Sequence, residues 1–234
     1  MRIIGRKNLY CMKRLLFIWG LVQLLQFNSV GQSGKYEVGL KGGTSLALNW
    51  GSSYINSNQK PTLGYAAGVG FRYHLPKRFS IGAEITFERK GYSVHVASSE
   101  IDGNTFGEIE VRYRMHYLVV PILARFSIGK KVRAFLNVGP CFGFLTHATA
   151  DWKAPSQFVY FPNTTNETND FKRLDIGVTT GLGLIVPLKA RVLLSLEVRN
   201  NLGLLDVGGI EAPKTNSTLL ELGISYLFCK RKEE

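Results

Sequence analysis

Apolar and polar residues alternate along most of the chain from residue 36 onward, and no stretch sustains a 3.6-residue period. Residues 36–48 set Tyr36, Val38, Leu40, Leu46 and Leu48 against Glu37, Lys41 and two glycines. Residues 63–75 align Leu63, Tyr65, Ala67, Val69, Phe71, Tyr73 and Leu75 opposite Gly64, Gly68, Gly70, Arg72 and His74. Residues 79–88 set Phe79, Ile81, Ala83, Ile85 and Phe87 against Glu84 and Glu88, and 218–228 alternate strictly through Leu220, Leu222, Ile224, Tyr226 and Phe228. A side-chain period of two belongs to a β-strand whose two faces meet different surroundings. Further strands are predicted over 111–128, 132–146, 174–188 and 191–203, eight in all. Within 111–128 the apolar parity changes, from odd Val111, Tyr113, Met115 and Tyr117 to even Ile122, Ala124, Phe126 and Ile128. One extra residue near Leu118–Val120, beside Pro121, reconciles the two halves, so a β-bulge is expected there.

The connections fall into two classes. Pro76-Lys77-Arg78, Gly129-Lys130-Lys131 and Lys189-Ala190 are tight, whereas 49–62, 93–110, 149–170 and 204–216 are long, and the two classes alternate along the chain. Short turns at one end and long loops at the other are the pattern of an outer-membrane barrel. The fold predicted is all-β, an eight-stranded antiparallel up-and-down transmembrane β-barrel.

The competing reading is a soluble lipocalin-like binding barrel, which keeps its apolar face inward around a ligand. Here one face is an almost uncharged belt. The other carries eleven charged residues of both signs: Glu37, Lys41, Arg72, Glu84, Glu88, Arg125, Arg133, Asp175, Glu197, Arg199 and Glu221. As the dry core of a soluble barrel these would be very costly; inside a membrane barrel they can pair with one another. Basic residues turned to lipid would instead cost roughly 2–4 kcal/mol each near the midplane.

Composition supports a folded chain: 45% of residues are apolar and only 20% charged, with 25 Gly, 14 Phe and 10 Tyr. Cys11, Cys141 and Cys229 make neither a disulfide framework nor a zinc pair, and no metal or other cofactor is implied. No apolar run reaches the roughly 18–20 residues of a transmembrane helix. The net charge of +12 does not gather into a nucleic-acid surface. The four long loops carry a net −6, and the tight turns with the tail after Phe228 carry +6. Residues 1–31 contain Arg2, Arg6, Lys7, Lys13 and Arg14, no acid, and then LLFIWGLVQLL at 15–25. This is the order of a secretory signal peptide, with Ser29 and Gly31 preceding a cut before Gln32 and either Met1 or Met12 as the start. The domains expected are a signal peptide, 1–31, and an outer-membrane β-barrel, 32–234.

YLVVPILARF (117–126) followed by FLNVGPCFGFL (135–145) resembles paired strands of PorT-like outer-membrane β-barrel proteins. DIGVTTGLGLIVPL (175–188), LLSLEVRNNLGLLDV (193–207) and LLELGISYLF (219–228) resemble the strands that follow in that family. The resemblance implies a small eight-stranded barrel in the outer membrane of a diderm bacterium, exported and handled by the barrel-assembly machinery. The namesake of the family is linked to type IX secretion, and most members have no assigned activity.

Four interior residues, Glu84, Glu197, Arg199 and Glu221, are predicted to form a charge network in a lumen only wide enough for side chains. No catalytic set is assigned. An outer-membrane enzyme, modifying lipid A or cleaving proteins, is the alternative. It would draw on His95, His116 and His147 near the external rim, with Ser93, Ser98, Ser99 and Asp151 nearby in sequence. The GLG at 181–183 and GVG at 68–70 lack the spacing and following helix of a nucleotide site, and are expected to make room for large neighbours across the lumen. Trp152, Phe158, Tyr160 and Phe161, in the longest external loop, are the candidate interface with a protein partner.

Overall fold

The computed structural model describes residues 35–51, 59–99, 105–153, 164–189, 191–208 and 213–229. The expected signal segment and the FVYF run at 158–161 lie outside the described residues. The strands are β1 (Lys35–Trp50), β2 (Gln59–His74), β3 (Phe79–Ser99), β4 (Thr105–Gly129), β5 (Arg133–Lys153), β6 (Thr164–Asn166), β7 (Leu174–Pro187), β8 (Val192–Asp206) and β9 (Lys214–Cys229). Eight of them pair antiparallel with their neighbours in a single ring, closed by β4 on β5 and by β9 on β1. The ninth, β6, is a short strand beside the loop end of β5, at Thr149–Asp151, above the stretch of β5 that pairs with β7.

The predicted alternation decides which face is which. Val38, Leu40, Val69, Ile85, Ile122, Leu182, Leu222 and Ile224 all point outward and are exposed, while Glu37, Arg72, Glu84, Arg125, Glu197, Arg199 and Glu221 are buried inside. This excludes the lipocalin-like arrangement, whose apolar face would be the buried one. Aromatic rings flank the belt on both sides. Tyr36 stacks on Phe71 at 5.9 Å and Phe79 lies 5.2 Å from Phe126 at the turn end, whereas Tyr65 lies 6.3 Å from Phe87 at the loop end. Phe79 and Phe87 share β3 eight residues apart, which is about 26 Å along a strand and about 20 Å along the normal at a ~40° tilt. That spacing suits the apolar band of an outer membrane. The tight turns use special backbone where it is needed: Lys77 has φ 70° and Gly129 has φ 124°. Leu75 N–H bonds to Phe79 O at 3.0 Å to close the first turn.

Two expectations change. No bulge interrupts β4 near Leu118–Val120: its partners in β3 keep one register from Ala83↔Ile122 to Thr86↔Val119. Val111, Met115, Tyr117, Val119, Leu123 and Arg125 are all buried, so odd positions face inward along the whole strand. What alters along β4 is the lumen, which is apolar at the loop end and charged at the turn end. The register shift lies across the barrel seam instead, between His116↔His147 and Tyr117↔Leu145, leaving Thr146 of β5 as the extra residue. It resets the inward parity of β5 from Cys141 and Leu145 to Ala148 and Ala150.

The second change concerns the loop expected at 93–110, most of which is paired strand. β3 and β4 continue from Tyr92↔Tyr113 to Ser98↔Gly107, and β3, β4 and β5 run 21, 25 and 21 residues against 14–16 for the other five ring strands. The alternation persists through Tyr92, Val94, Ile109, Val111 and Tyr113, and these side chains build a core of their own. The result is a three-stranded projection rising beyond the belt.

Replacing Ile122, an outward residue near the middle of β4, by Arg should destabilise the folded barrel by roughly 2–4 kcal/mol in vesicle refolding. The wild-type protein should need detergent and migrate differently on gels before and after heating. A water-soluble monomer with unchanged mobility would contradict the barrel.

Candidate functional site

Everything the inward faces carry converges on a narrow lumen, and its contents change with depth. In the lower half, Arg199 of β8 donates Nη1 to Glu84 Oε2 of β3 at 2.7 Å and Nη2 to Glu197 Oε2 at 3.0 Å, and its Nε lies 3.4 Å from Glu221 Oε2 of β9. Lys41 Nζ reaches the same three carboxylates, 3.3 Å from Glu221 and 3.7 Å from Glu197. Arg72 Nη2 lies 3.5 Å from Glu84 Oε1. Three acids therefore meet three bases, and the charges balance within the layer. The four residues singled out from sequence come together here, joined by Lys41 and Arg72.

Below this layer, Arg125 Nε donates to Asn137 Oδ1 and Asn137 Nδ2 donates to Glu197 Oε1, both at 2.8 Å. The Arg125 guanidinium lies 3.8 Å from the centre of the Phe135 ring. Above it, Thr179 Oγ1 donates to Asn201 Oδ1 at 2.7 Å, and Asn201 Nδ2 donates to Glu88 Oε2 at 3.0 Å. Thr215 Oγ1 donates to Asp175 Oδ2 at 2.6 Å, with Lys90 Nζ 3.7 Å from the same oxygen. Lys90 escaped notice in the sequence although it shares the even parity of Glu84 and Glu88 on β3, a signal that was available.

Higher still the lumen is apolar. Tyr92, Val94, Met115, Tyr117, Val119, Cys141, Leu145 and Ala148 pack with Phe171 and Val207 from the connections before β7 and after β8. Those two connections hold each other, by a bridge of Phe171 with Gly208 and by Lys172 N–H to Val207 O at 2.8 Å. Val207 is fully buried and the Phe171 ring meets Tyr113 edge-on at 6.0 Å, so the loop end is capped from within.

Glycines create the space for the large interior groups. A Cβ on Gly181 would stand 2.2 Å from Glu197 Oε1, and one on Gly183 2.4 Å from Phe135 Cζ. The GLG motif at 181–183 is thus a gap filled by its neighbours.

A family model described as the outer membrane protein beta-barrel domain matches residues 26–208. The chain belongs to that family. Its barrel is accordingly that of an outer-membrane protein. Among solved structures, Neisserial surface protein A is 14% identical, the match covering 82% of this chain and 97% of that one, with a TM-score of 0.48. Ail of Yersinia pestis is 14% identical over 84% of this chain and all, 100%, of its own, with a TM-score of 0.43. OprG of Pseudomonas aeruginosa is 12% identical over 84% and 97%, with a TM-score of 0.40. These are likenesses of fold. No curated protein matches the sequence.

In this outer membrane protein beta-barrel domain, the rim residues considered for chemistry are dispersed. His116 and His147 face each other across β4 and β5, rings 6.3 Å apart, and both point outward. His147 Nδ1 lies 3.3 Å from Thr168 Oγ1, and Thr168 in turn donates to Asn166 Oδ1 at 2.6 Å. His95 Nε2 lies 3.5 Å from Lys60 Nζ, and Asp151 pairs with Arg114. Ser93 is buried opposite Arg112. Among the described residues the geometry assembles no serine, histidine and acid in hydrogen-bond succession.

Trp152 is half-buried: it packs on Ile109, Val111 and Ala150 and donates Nε1 to Thr165 Oγ1 at 3.2 Å. The core of the projection thus accounts for Trp152, which does not stand out as a projecting anchor. Phe158, Tyr160 and Phe161 lie outside the described residues.

Replacing Arg199 by Met leaves three buried carboxylates with too little positive charge, and should cost about 3–5 kcal/mol in denaturant unfolding from detergent. Adding Glu84→Gln to that variant should recover part of the loss. Equal stabilities of wild type and single variant would show that the network holds nothing together.

Proposed function

We propose that the protein is a non-enzymatic outer-membrane barrel that serves as an anchor and surface-binding module, with its working surface on the external projection. The observation that carries this reading is the filled interior: paired charges occupy the lower lumen and a ring of apolar side chains, capped by Phe171 and Val207, occupies the upper. Eight strands leave little more than side-chain room, and the cavity among Lys41, Arg72, Glu84, Glu197 and Glu221, about 50 Å³, has space for a few waters but not for a substrate. Binding is left to the exterior, where the long β3, β4 and β5 form a rigid platform. A cleaved signal peptide over 1–31 supplies the export this location needs, and the segment order basic, apolar, small supports it. Within the family, the strand motifs at 117–126 and 135–145 support a PorT-like assignment and, through it, association with type IX secretion.

The lumen reading is tested in planar bilayers. Purified protein should show no steady conductance, and large reproducible single-channel steps would restore a pore. The choice between binding module and enzyme is tested at the external loops. Replacing Phe158 and Phe161 by Ser should weaken capture of a surface partner by about 2 kcal/mol or more for each true anchor, with insertion intact. In an enzyme, His116→Ala or His147→Ala would abolish turnover and the loop change would have little effect.

A further inference from the structure

The outward face of β3, β4 and β5 changes character where it leaves the belt. Immediately beyond the Tyr65–Phe87 girdle, Arg89, His116 and His147 stand side by side on three adjacent strands, in the register Arg89↔His116↔His147. Adjacent strands lie about 4.8 Å apart, so this row spans about 10 Å. Phe87 touches the row from below, its ring 5.5 Å from that of His116. Arg114 and then Arg112 follow on β4, each a further two residues outward and so about 7 Å higher. Their side chains are 42% and 36% exposed, so both remain open to a ligand.

Two carboxylates face the three arginines, and both are already engaged. Arg114 pairs with Asp151, and Arg112 Nη2 with Glu110 Oε1 at 2.9 Å, a bond that holds the Glu110 carboxyl below its usual range. Among the described residues no carboxylate lies within ion-pair distance of Arg89. Its guanidinium is instead oriented by the Leu63 carbonyl, which accepts from Nη2 at 2.8 Å, and by the Tyr65 ring, 5.1 Å away. The loop ends of β1, β8 and β9 turn Leu46, Leu48, Asn200 and Asn216 outward, and beyond them Asp206 and Lys214 stand opposite each other, the Lys214 Nζ 4.8 Å from the Trp50 ring. Arg89, Arg112 and Arg114 therefore cluster on β3 and β4 just beyond the Tyr65–Phe87 girdle, with His116 and His147 beside them.

We propose that this cluster is a binding site for the phosphorylated headgroup of an outer-leaflet lipid. Guanidinium groups form charge-assisted, bidentate hydrogen bonds with phosphate, and three levels about 7 Å apart suit a headgroup carrying more than one phosphate. The acyl chains of such a lipid would lie along the belt below Phe87.

The test is lipid retention by purified, folded protein in nanodiscs that contain bisphosphorylated lipid A diluted in phosphatidylcholine. The wild type should enrich lipid A around itself, and the triple variant R89Q/R112Q/R114Q should lose that enrichment by about tenfold while keeping its heat-dependent gel mobility. Equal retention by wild type and variant overturns the proposal. So does saturable binding of inorganic phosphate alone that leaves lipid A no advantage over phosphatidylcholine, since the site then takes a free anion. If the triple variant does not fold, wild-type retention is read against sodium chloride. Loss of the lipid A preference at high salt supports the site, and insensitivity to salt overturns it.

Discussion

The pairing of β4 with β5 is the constraint on which the rest of the molecule depends. In hydrocarbon an unpaired backbone N–H or C=O has no water to turn to, so a spanning sheet must close. Closing eight strands fixes a lumen that side chains fill. Once it closes, every inward residue must be reconciled with the residues across from it, and every outward residue with lipid. The alternation along each strand is the record of that double requirement.

The charge layer shows how the inner requirement is met. Three carboxylates and three cations at this depth would each carry a heavy desolvation cost if left alone. Here Arg199 and Lys41 each touch all three acids, so no single pair has to carry the compensation. The arrangement needs space for crowded head groups, and the strands supply it by omission at Gly181, where Glu197 occupies the place of a side chain. The contacts join β1, β2, β3, β8 and β9, so they fix the strands relative to one another across the ring as well as around it. Above this layer the solution reverses. The projection stands where water is available outside, and its inner face behaves as a small soluble core, with Tyr92 stacked on Tyr113 at 4.8 Å.

That reversal explains what could be read from the sequence and what could not. All eight ring strands, their tight turns and the four interior charges follow from period-two alternation, because a membrane belt makes one face almost purely apolar. The parity change in β4 was legible too, but its cause was not. Val111, Met115 and Ile122 are all apolar, yet the first two face an apolar lumen and the third faces lipid. Alternation reports that two faces differ without saying which is inside, so a change in the lumen imitates a bulge. The bulge at Thr146 left no such trace, since outward Thr146, His147 and Thr149 offer no apolar row whose parity could change. Trp152 lies on β5 and not in a loop for a related reason: paired strand continues past the belt, and an aromatic in a long connection can belong to the core of an extension.

A closed, filled barrel has no inside to offer, and a ring of equal strands would offer no direction either. This one is unequal. Its three longest strands are consecutive, they carry the core that stands clear of the membrane, and the same three strands carry the outward cations at the boundary. The long strands need a support on the side facing lipid headgroups, and a row of Arg and His supplies favourable surroundings there, where aliphatic residues would be stranded between phases. Seen this way, the charged row and the projection are two consequences of carrying β3, β4 and β5 past the belt. The inward face of the extension becomes a protein core, and the outward face becomes a surface that carries Arg89, Arg112 and Arg114. Any function that resides on the exterior therefore has a defined side of the barrel on which to reside.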